Sequence, residues 1–86
     1  MFRLPWSKKP DLSNREMKRA DLRRAELGGA SLSNFQLRGA DLSWAEMWNA
    51  DCSGADMYGA KLTHADLVRA TLRGTNLMNS DLSVTW

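Results

Sequence analysis

The feature that most constrains this chain is an unbroken period of five residues. An apolar residue, here called position i, recurs from Leu12 to Leu82 in fifteen consecutive units without an insertion. Position i−2 is Ala in ten of these units, and all ten acidic residues of the chain lie at i−1. A helix repeats its apolar face every 3.6 residues and a strand every second residue, so neither element satisfies this pattern.

Each five-residue unit predicts a short extended side followed by a corner. The apolar residues at i−2 and i enclose a polar residue, which indicates local extended backbone. The next two positions, often Gly, Asn, Ser or Arg, are typical of a turn. A chain of such units has to coil and stack its layers on one another. Because a solenoid buries residues layer on layer, 86 residues rich in Leu and Ala can form one small domain.

The repeated triplets carry a resemblance to a known family. Ala40-Asp41-Leu42, Ala50-Asp51-Cys52 and Ala55-Asp56-Met57 are similar to the pattern A(D/N)LXX of pentapeptide-repeat proteins, and the match covers about nine-tenths of the chain. The resemblance implies an all-β fold, a right-handed quadrilateral parallel β-helix with four units per coil. It also implies almost four coils, with positions i and i−2 pointing inward.

The predicted organisation has three parts. Residues 1–9 form an N-terminal cap or a docking arm, residues 10–84 form the solenoid, and residues 85–86 form a C-terminal tail. Two residues depart from the small i−2 position. Arg15 cannot be buried there without a partner, and Phe35 is expected to use the space that Arg15 leaves open.

Residues twenty positions apart are expected to stack in columns on the surface. Trp44 and Trp48 are predicted to flank one corner of the second coil, where exposed tryptophan favours a protein interface. The alternative is that Trp44 lies flat on Arg24 as a cation–π contact. The candidate interface residues are Trp6, Trp44, Trp48, Tyr58, His64 and Val68.

Two further surface expectations concern charge and glycine. Glu26, Glu46 and Asp66 should form an acidic stripe, which Arg24 or Arg69 would offset, and a solvated solubilising face is the simplest interpretation. All six glycines occupy corner positions, where positive φ is expected.

The basic residues are concentrated at the N-terminal end, although the formal net charge is only +2. This basic patch has two interpretations: it binds phosphate, an acidic protein or an anionic lipid surface, or it keeps free solenoids from stacking. No nucleic-acid-binding motif accompanies it. The predicted patch consists of Arg15, Lys18, Arg19, Arg23 and Arg24.

The sequence offers little for catalysis. With one His and one Cys, it predicts no metal site and no cofactor, and Cys52 is expected to be a small core residue. A filled narrow solenoid has no enclosed pocket, so an enzyme is not expected. The single cysteine and the lack of an apolar signal or membrane-spanning segment favour a cytoplasmic protein.

These features lead to three functional hypotheses. The first is a rigid interaction module, an accessory or assembly subunit that docks onto a larger protein or protein complex. The second is a DNA mimic that interacts with a topoisomerase, as some pentapeptide-repeat proteins do, but a net positive chain is poorly suited to imitate a polyanion. The third is binding of a polyanion or a membrane surface by the basic end. End-to-end self-association is a further option, and a nucleic-acid partner is not expected.

Overall fold

The computed structural model describes residues 16–83, which form a continuous stack of four-sided coils. Within this range there is no helix and no extended strand; the sheet consists of single-residue parallel bridges. Each bridge joins an i−1 residue to the i−1 residue twenty positions later, from Glu16–Gln36 to Lys61–Asp81. Since a turn follows every bridge, twenty residues make one coil with four corners. No helix in this part of the chain is long and apolar enough to cross a membrane.

All described corners use the same turn. The amide of each following i−2 residue donates to the carbonyl of residue i at 2.9–3.1 Å. The second corner residue, i+2, has a φ of 57–70° at every corner from Arg19 to Asn79. A hydrogen bond across four residues with positive φ only at the third is characteristic of a type II turn. One turn type therefore sets the whole described ladder.

Backbone hydrogen bonds between coils hold the stack together. Leu42 shows the pattern: its amide donates to the Lys61 carbonyl at 2.7 Å, and the Lys61 amide donates to the Ala40 carbonyl at 2.9 Å. The Trp44 amide, at i+2, donates to the Thr63 carbonyl at 2.9 Å. In the units centred on Leu42 to Leu62, which have a described coil on each side, the amide at i+1 is the one backbone donor that this ladder does not use.

The side chain at i−1 accepts a hydrogen bond from the amide at i+1. Oδ1 of Asp51 accepts a hydrogen bond from the Ser53 amide at 3.0 Å. The same bond recurs at six other units, with Asp or Asn as the acceptor: Asp21, Asp41, Asp56, Asp66, Asn76 and Asp81. This local bond, an Asx turn, gives the physical reason why short carboxylates and amides occupy i−1.

The core is a filled column. Eighteen residues from Leu22 to Ala65 are at most 2% exposed, and all of them are at i or i−2. The expectation that these positions point inward is confirmed there, and Phe35 is also buried, at 1% exposure. The same positions are less well covered in the last described coil, where Leu72 and Leu82 are 37% and 44% exposed. No described residue lies twenty positions beyond them to cover them.

One glycine departs from the expectation of positive φ. Five of the six glycines have it, but Gly28 does not. Gly28 is instead covered by the indole of Trp48 from the next coil, and a Cβ at this position would overlap the ring atoms. The segments 1–9 and 85–86 lie outside the described residues, so their roles and the count of almost four coils stay predictions.

Candidate functional site

One side of the solenoid carries two exposed tryptophans, and we call it the aromatic face. Its centre is the bridged column Glu26, Glu46 and Asp66. Trp44 ends the corner before this side, and Trp48 begins the corner after it. The prediction that both indoles flank one corner is therefore wrong: they flank one side, with Glu46 between them.

Trp44 is sandwiched within its column. The Arg24 guanidinium carbon lies 5.5 Å from the centroid of the Trp44 ring. The His64 imidazole stacks on Trp44 with centroids 4.2 Å apart and planes inclined by 19°. The predicted contact with Arg24 is thus confirmed, yet Trp44 remains 51% exposed. The residue also has a φ of 64°, which costs an L-residue roughly 1–2 kcal/mol.

Trp48 presents the second indole on the other edge of the face. It packs over Gly28, which leaves room because it lacks a side chain. Trp48 nevertheless stays 41% exposed, and Val68, above it in the same column, is 51% exposed. The aromatic face therefore combines two anchored indoles with an additional exposed aliphatic side chain.

The acidic column between the indoles contains a carboxylate that does not cap its turn. Asp66 caps the Val68 amide through Oδ1 at 3.0 Å. Glu46, one methylene longer, has no side-chain hydrogen bond or ion pair within residues 16–83. The expected offset by Arg24 or Arg69 is also absent as a direct ion pair for Glu46 and Asp66. Between the two indoles, the Glu46 carboxylate is therefore left without a direct partner from the described residues.

Tyr58 belongs to a different corner and is not brought together with Trp48. Its ring lies 4.9 Å from the Arg38 guanidinium carbon, and Arg38 Nε pairs with Asp56 Oδ2 at 2.6 Å. Nδ2 of Asn79 donates to the Tyr58 hydroxyl oxygen at 2.7 Å. This second cluster lies at the corner that precedes the Trp44 corner.

The predicted basic patch is divided among separate contacts. Arg23 forms two bonds of 2.8 Å to the Asp21 carboxylate, and this pairing holds the pKa of Asp21 well below its usual value. Arg24 lies on Trp44. Lys18 and Arg19 face another corner and are considered below. Arg15 and Trp6 lie outside the described residues, so their predicted roles are untested.

Comparison with known proteins places the chain in a family. The profile described as Pentapeptide repeats matches in eight copies over residues 36–74 and 49–83, more than half of the chain. The chain belongs to the pentapeptide-repeat family. Membership implies a right-handed β-helix, and proteins of this family are generally non-catalytic interaction modules.

A solved relative is the pentapeptide-repeat protein Rfr23 from the cyanobacterium Cyanothece 51142. Its crystal structure shares 29% identity with this chain, with a TM-score of 0.31. The alignment covers 81% of this chain and 58% of the other, so this pentapeptide-repeat protein spans little more than half of that relative. No curated protein matches the sequence.

The single thiol of this pentapeptide-repeat protein is unsuited to nucleophilic chemistry. Cys52 is fully buried, and burial raises its pKa to about 12. A nucleophilic cysteine needs its thiolate, which this environment disfavours. Residues 16–83 also contain no group of three or more side chains able to hold a metal ion.

Sequence reasoning missed the contrast between aspartate and glutamate at i−1. The signal was present, because Asp or Asn caps the next turn whereas Glu26 and Glu46 carry the longer side chain on the aromatic face. Finding it required the hydrogen-bond pattern of the corner, which the five-residue period does not reveal.

Proposed function

We propose that this pentapeptide-repeat protein is a non-catalytic, rigid interaction module that docks onto a partner protein through the aromatic face. The proposal rests on the position of Trp44. Its backbone is left-handed, and its ring has a cation on one face and an imidazole on the other. Half of this side chain remains exposed. Positive φ is common to every described corner, and what distinguishes Trp44 is an exposed ring fixed between two stacked side chains.

Both indoles are held in position before a partner binds, which favours association. Trp44 is stacked on two sides, and Trp48 rests on Gly28. Tryptophan dominates the binding energy of many interfaces. An indole fixed before association loses little conformational entropy when the partner arrives. The face therefore presents two anchors on a scaffold joined by backbone hydrogen bonds.

The charge between the anchors favours a cationic partner segment. Glu46 has no cationic partner within the described residues and lies in a column with Glu26 and Asp66. A Lys or Arg of the partner can pair with Glu46 while its aliphatic stem and charge contact the indoles. The proposed role is that of an accessory or assembly subunit of a larger protein complex.

A double variant tests the docking role. Trp44→Asn with Trp48→Ser introduces residues that other corners of this chain carry at the same turn positions. Met78→Ser is the matched control, because Met78 is an i+1 residue in a different column and is 67% exposed. Partners captured by the wild type from the native source are purified, and their affinity for each variant is measured by calorimetry.

We expect the double variant to bind at least about tenfold more weakly, as for hot-spot tryptophans. Met78→Ser should bind as the wild type does. Equal affinity of the double variant and the wild type for the purified partner would contradict the proposal.

Glu46→Gln tests whether the negative charge between the indoles contributes to binding. This variant keeps the size of the side chain and removes its charge. Its binding should be weaker than that of the wild type at low salt and should depend less on ionic strength. Unchanged salt dependence would mean that Glu46 does not meet a cation.

A further inference from the structure

A groove of about 350 Å³ lies outside the aromatic face, at the corner that carries Tyr58. Its walls are cationic and aromatic side chains, and two of its lining residues are glycines. The lining residues are Lys18, Arg19, Arg38, Gly39, Tyr58 and Gly59.

The groove exists because two successive coils have glycine at the same corner position. Gly39 and Gly59 both have a φ of 68° and lack a side chain at i+2. Arg19, one coil earlier, extends toward Gly39, so a Cβ there would lie 3.3 Å from the Arg19 Cγ. A Cβ on Gly59 would meet nothing within 4 Å. The corner is thus open at Gly59, whereas Trp44 and His64 fill the corresponding position of the next column.

Two neighbouring cations of the first described coil are available to a ligand. Arg19 has no carboxylate of residues 16–83 within ion-pair distance. Lys18 pairs with Glu16 only at 3.6 Å, with side chains 53% and 67% exposed. An exposed pair at this distance is weak and competes poorly with a more highly charged anion.

The lining side chains of the next two coils are fixed in place. Arg38 is held by the Asp56 carboxylate and by the ring of Tyr58. The Tyr58 oxygen already accepts a hydrogen bond from Asn79, so its own hydrogen is free to be donated. The Asp56 carboxylate accepts hydrogen bonds from Arg38, from the Tyr58 amide and from Asn76. It therefore does not compete with a ligand for Lys18 and Arg19.

We propose that this groove binds the phosphate group of a phosphorylated ligand. Arg19 and Lys18 supply charge-assisted hydrogen bonds to the phosphate oxygens, and the Tyr58 hydroxyl donates a further one. The glycine corners allow the phosphate to approach the backbone closely. The site is independent of the aromatic face.

The test uses Arg19→Gly, because glycine occupies the equivalent corner in the next two coils and tolerates positive φ. Arg69→Gly is the matched control: Arg69 occupies the same turn position in another column, with a φ of 61° against 59° for Arg19. Pyrophosphate and inorganic phosphate are titrated into each ¹⁵N-labelled protein, and the amide shifts of Gly39 and Gly59 are followed. A parallel arm measures sedimentation with vesicles containing phosphatidic acid, against vesicles of phosphatidylcholine alone.

The expected result is a saturable shift of both glycine amides in the wild type and in Arg69→Gly. Arg19→Gly should bind pyrophosphate about tenfold more weakly. Vesicle binding that Arg19→Gly loses would make a lipid headgroup the source of the phosphate, whereas binding of soluble phosphates alone would indicate a small ligand. No saturable shift together with no vesicle binding would overturn the proposal, as would an equal loss in Arg19→Gly and Arg69→Gly. A failure of either kind leaves the docking role of the aromatic face unaffected.

Discussion

Asp51 illustrates what a single residue before each core position contributes. Its Oδ1 accepts bonds from the amide and the hydroxyl of Ser53. Both bonds hold the pKa of Asp51 below its usual value, and the bond from the hydroxyl has the larger effect. Asp56 and Asp81 have lowered pKa values for the same kind of reason, with Arg38 and Ser83 as the main donors. Carboxylates at i−1 are therefore part of the fold and not only of its surface charge.

Substitution of Asp51 should separate the cap from the charge. Asp51→Ala removes the acceptor and should lower the free energy of unfolding at neutral pH, whereas Asp51→Asn keeps an acceptor and should lower it less. Because the folded pKa is depressed, the charge stabilises the fold above the unfolded pKa near 4. That stability is lost as the pH falls through the folded value. Urea unfolding from pH 7 to pH 2 should show a weaker acid dependence for Asp51→Asn than for the wild type.

The thiol of Cys52 should be a reporter of unfolding. In the folded protein its pKa is raised to about 12 by burial, so little thiolate exists at pH 8. We expect a thiol reagent to modify native protein at least about a hundredfold more slowly than protein in denaturant. Equal rates would show that the core column opens readily around Cys52.

The corners of the solenoid carry the side chains that form its candidate binding surfaces. Each described corner has positive φ at i+2, and eight of these residues are not glycine. Trp44 is the bulkiest of them, and its stacking on Arg24 and His64 offsets the backbone strain. Asn is a common alternative at this position, as at Asn34 and Asn49.

Trp44→Asn should therefore leave stability nearly unchanged. Partial relief of the roughly 1–2 kcal/mol of strain, because Asn tolerates this backbone better, is expected to offset much of the lost ring contacts, each about 0.5–1.5 kcal/mol. Denaturant unfolding should show a difference within about 1 kcal/mol of the wild type. A loss above about 3 kcal/mol would make Trp44 a structural residue and would weaken the docking proposal.

Gly28→Ala tests whether the position of the Trp48 indole depends on the missing side chain of Gly28. The added Cβ overlaps the Trp48 ring, so the indole must leave its position. We expect the Trp48 indole N–H resonance to shift and partner affinity to fall. In a Trp48→Ser background the same substitution should have no effect on either stability or binding, and a persisting effect would place the strain in the backbone instead.

The stacking register and one contact of the aromatic face could be predicted from the sequence. A period of five with four units per coil fixes which residues stack, so the contact of Trp44 with Arg24 followed from their spacing of twenty. The seat of Trp48 on Gly28 and the uncapped Glu46 did not follow, because they depend on turn geometry and side-chain direction. The exposure of Leu72 and Leu82 shows that an inward position buries a residue only where the next coil covers it.

The whole molecule depends on one continuous column of side chains. Leu42 is fully buried between coils, with Leu22 and Leu62 as its neighbours at the same column position. Leu42→Asp should abolish cooperative unfolding, since a carboxylate would be buried without a partner. Leu42→Met is the control, because Met occupies position i elsewhere in the stack, and it should cost less than about 1.5 kcal/mol. A normal thermal melt of Leu42→Asp, followed by circular dichroism, would contradict the assigned register.

The spacing of twenty residues between stacked partners also restricts how such a chain can change length. Insertion of one five-residue unit between Gly28 and Trp48 would preserve every turn and every core position of the repeat. It would nevertheless advance all later columns by a quarter of a revolution, and Trp48 would no longer meet Gly28. Duplication of four units at once returns every later residue to its original column. Growth of this solenoid that preserves its binding surfaces must therefore proceed by whole revolutions, even though its smallest structural unit is five residues long.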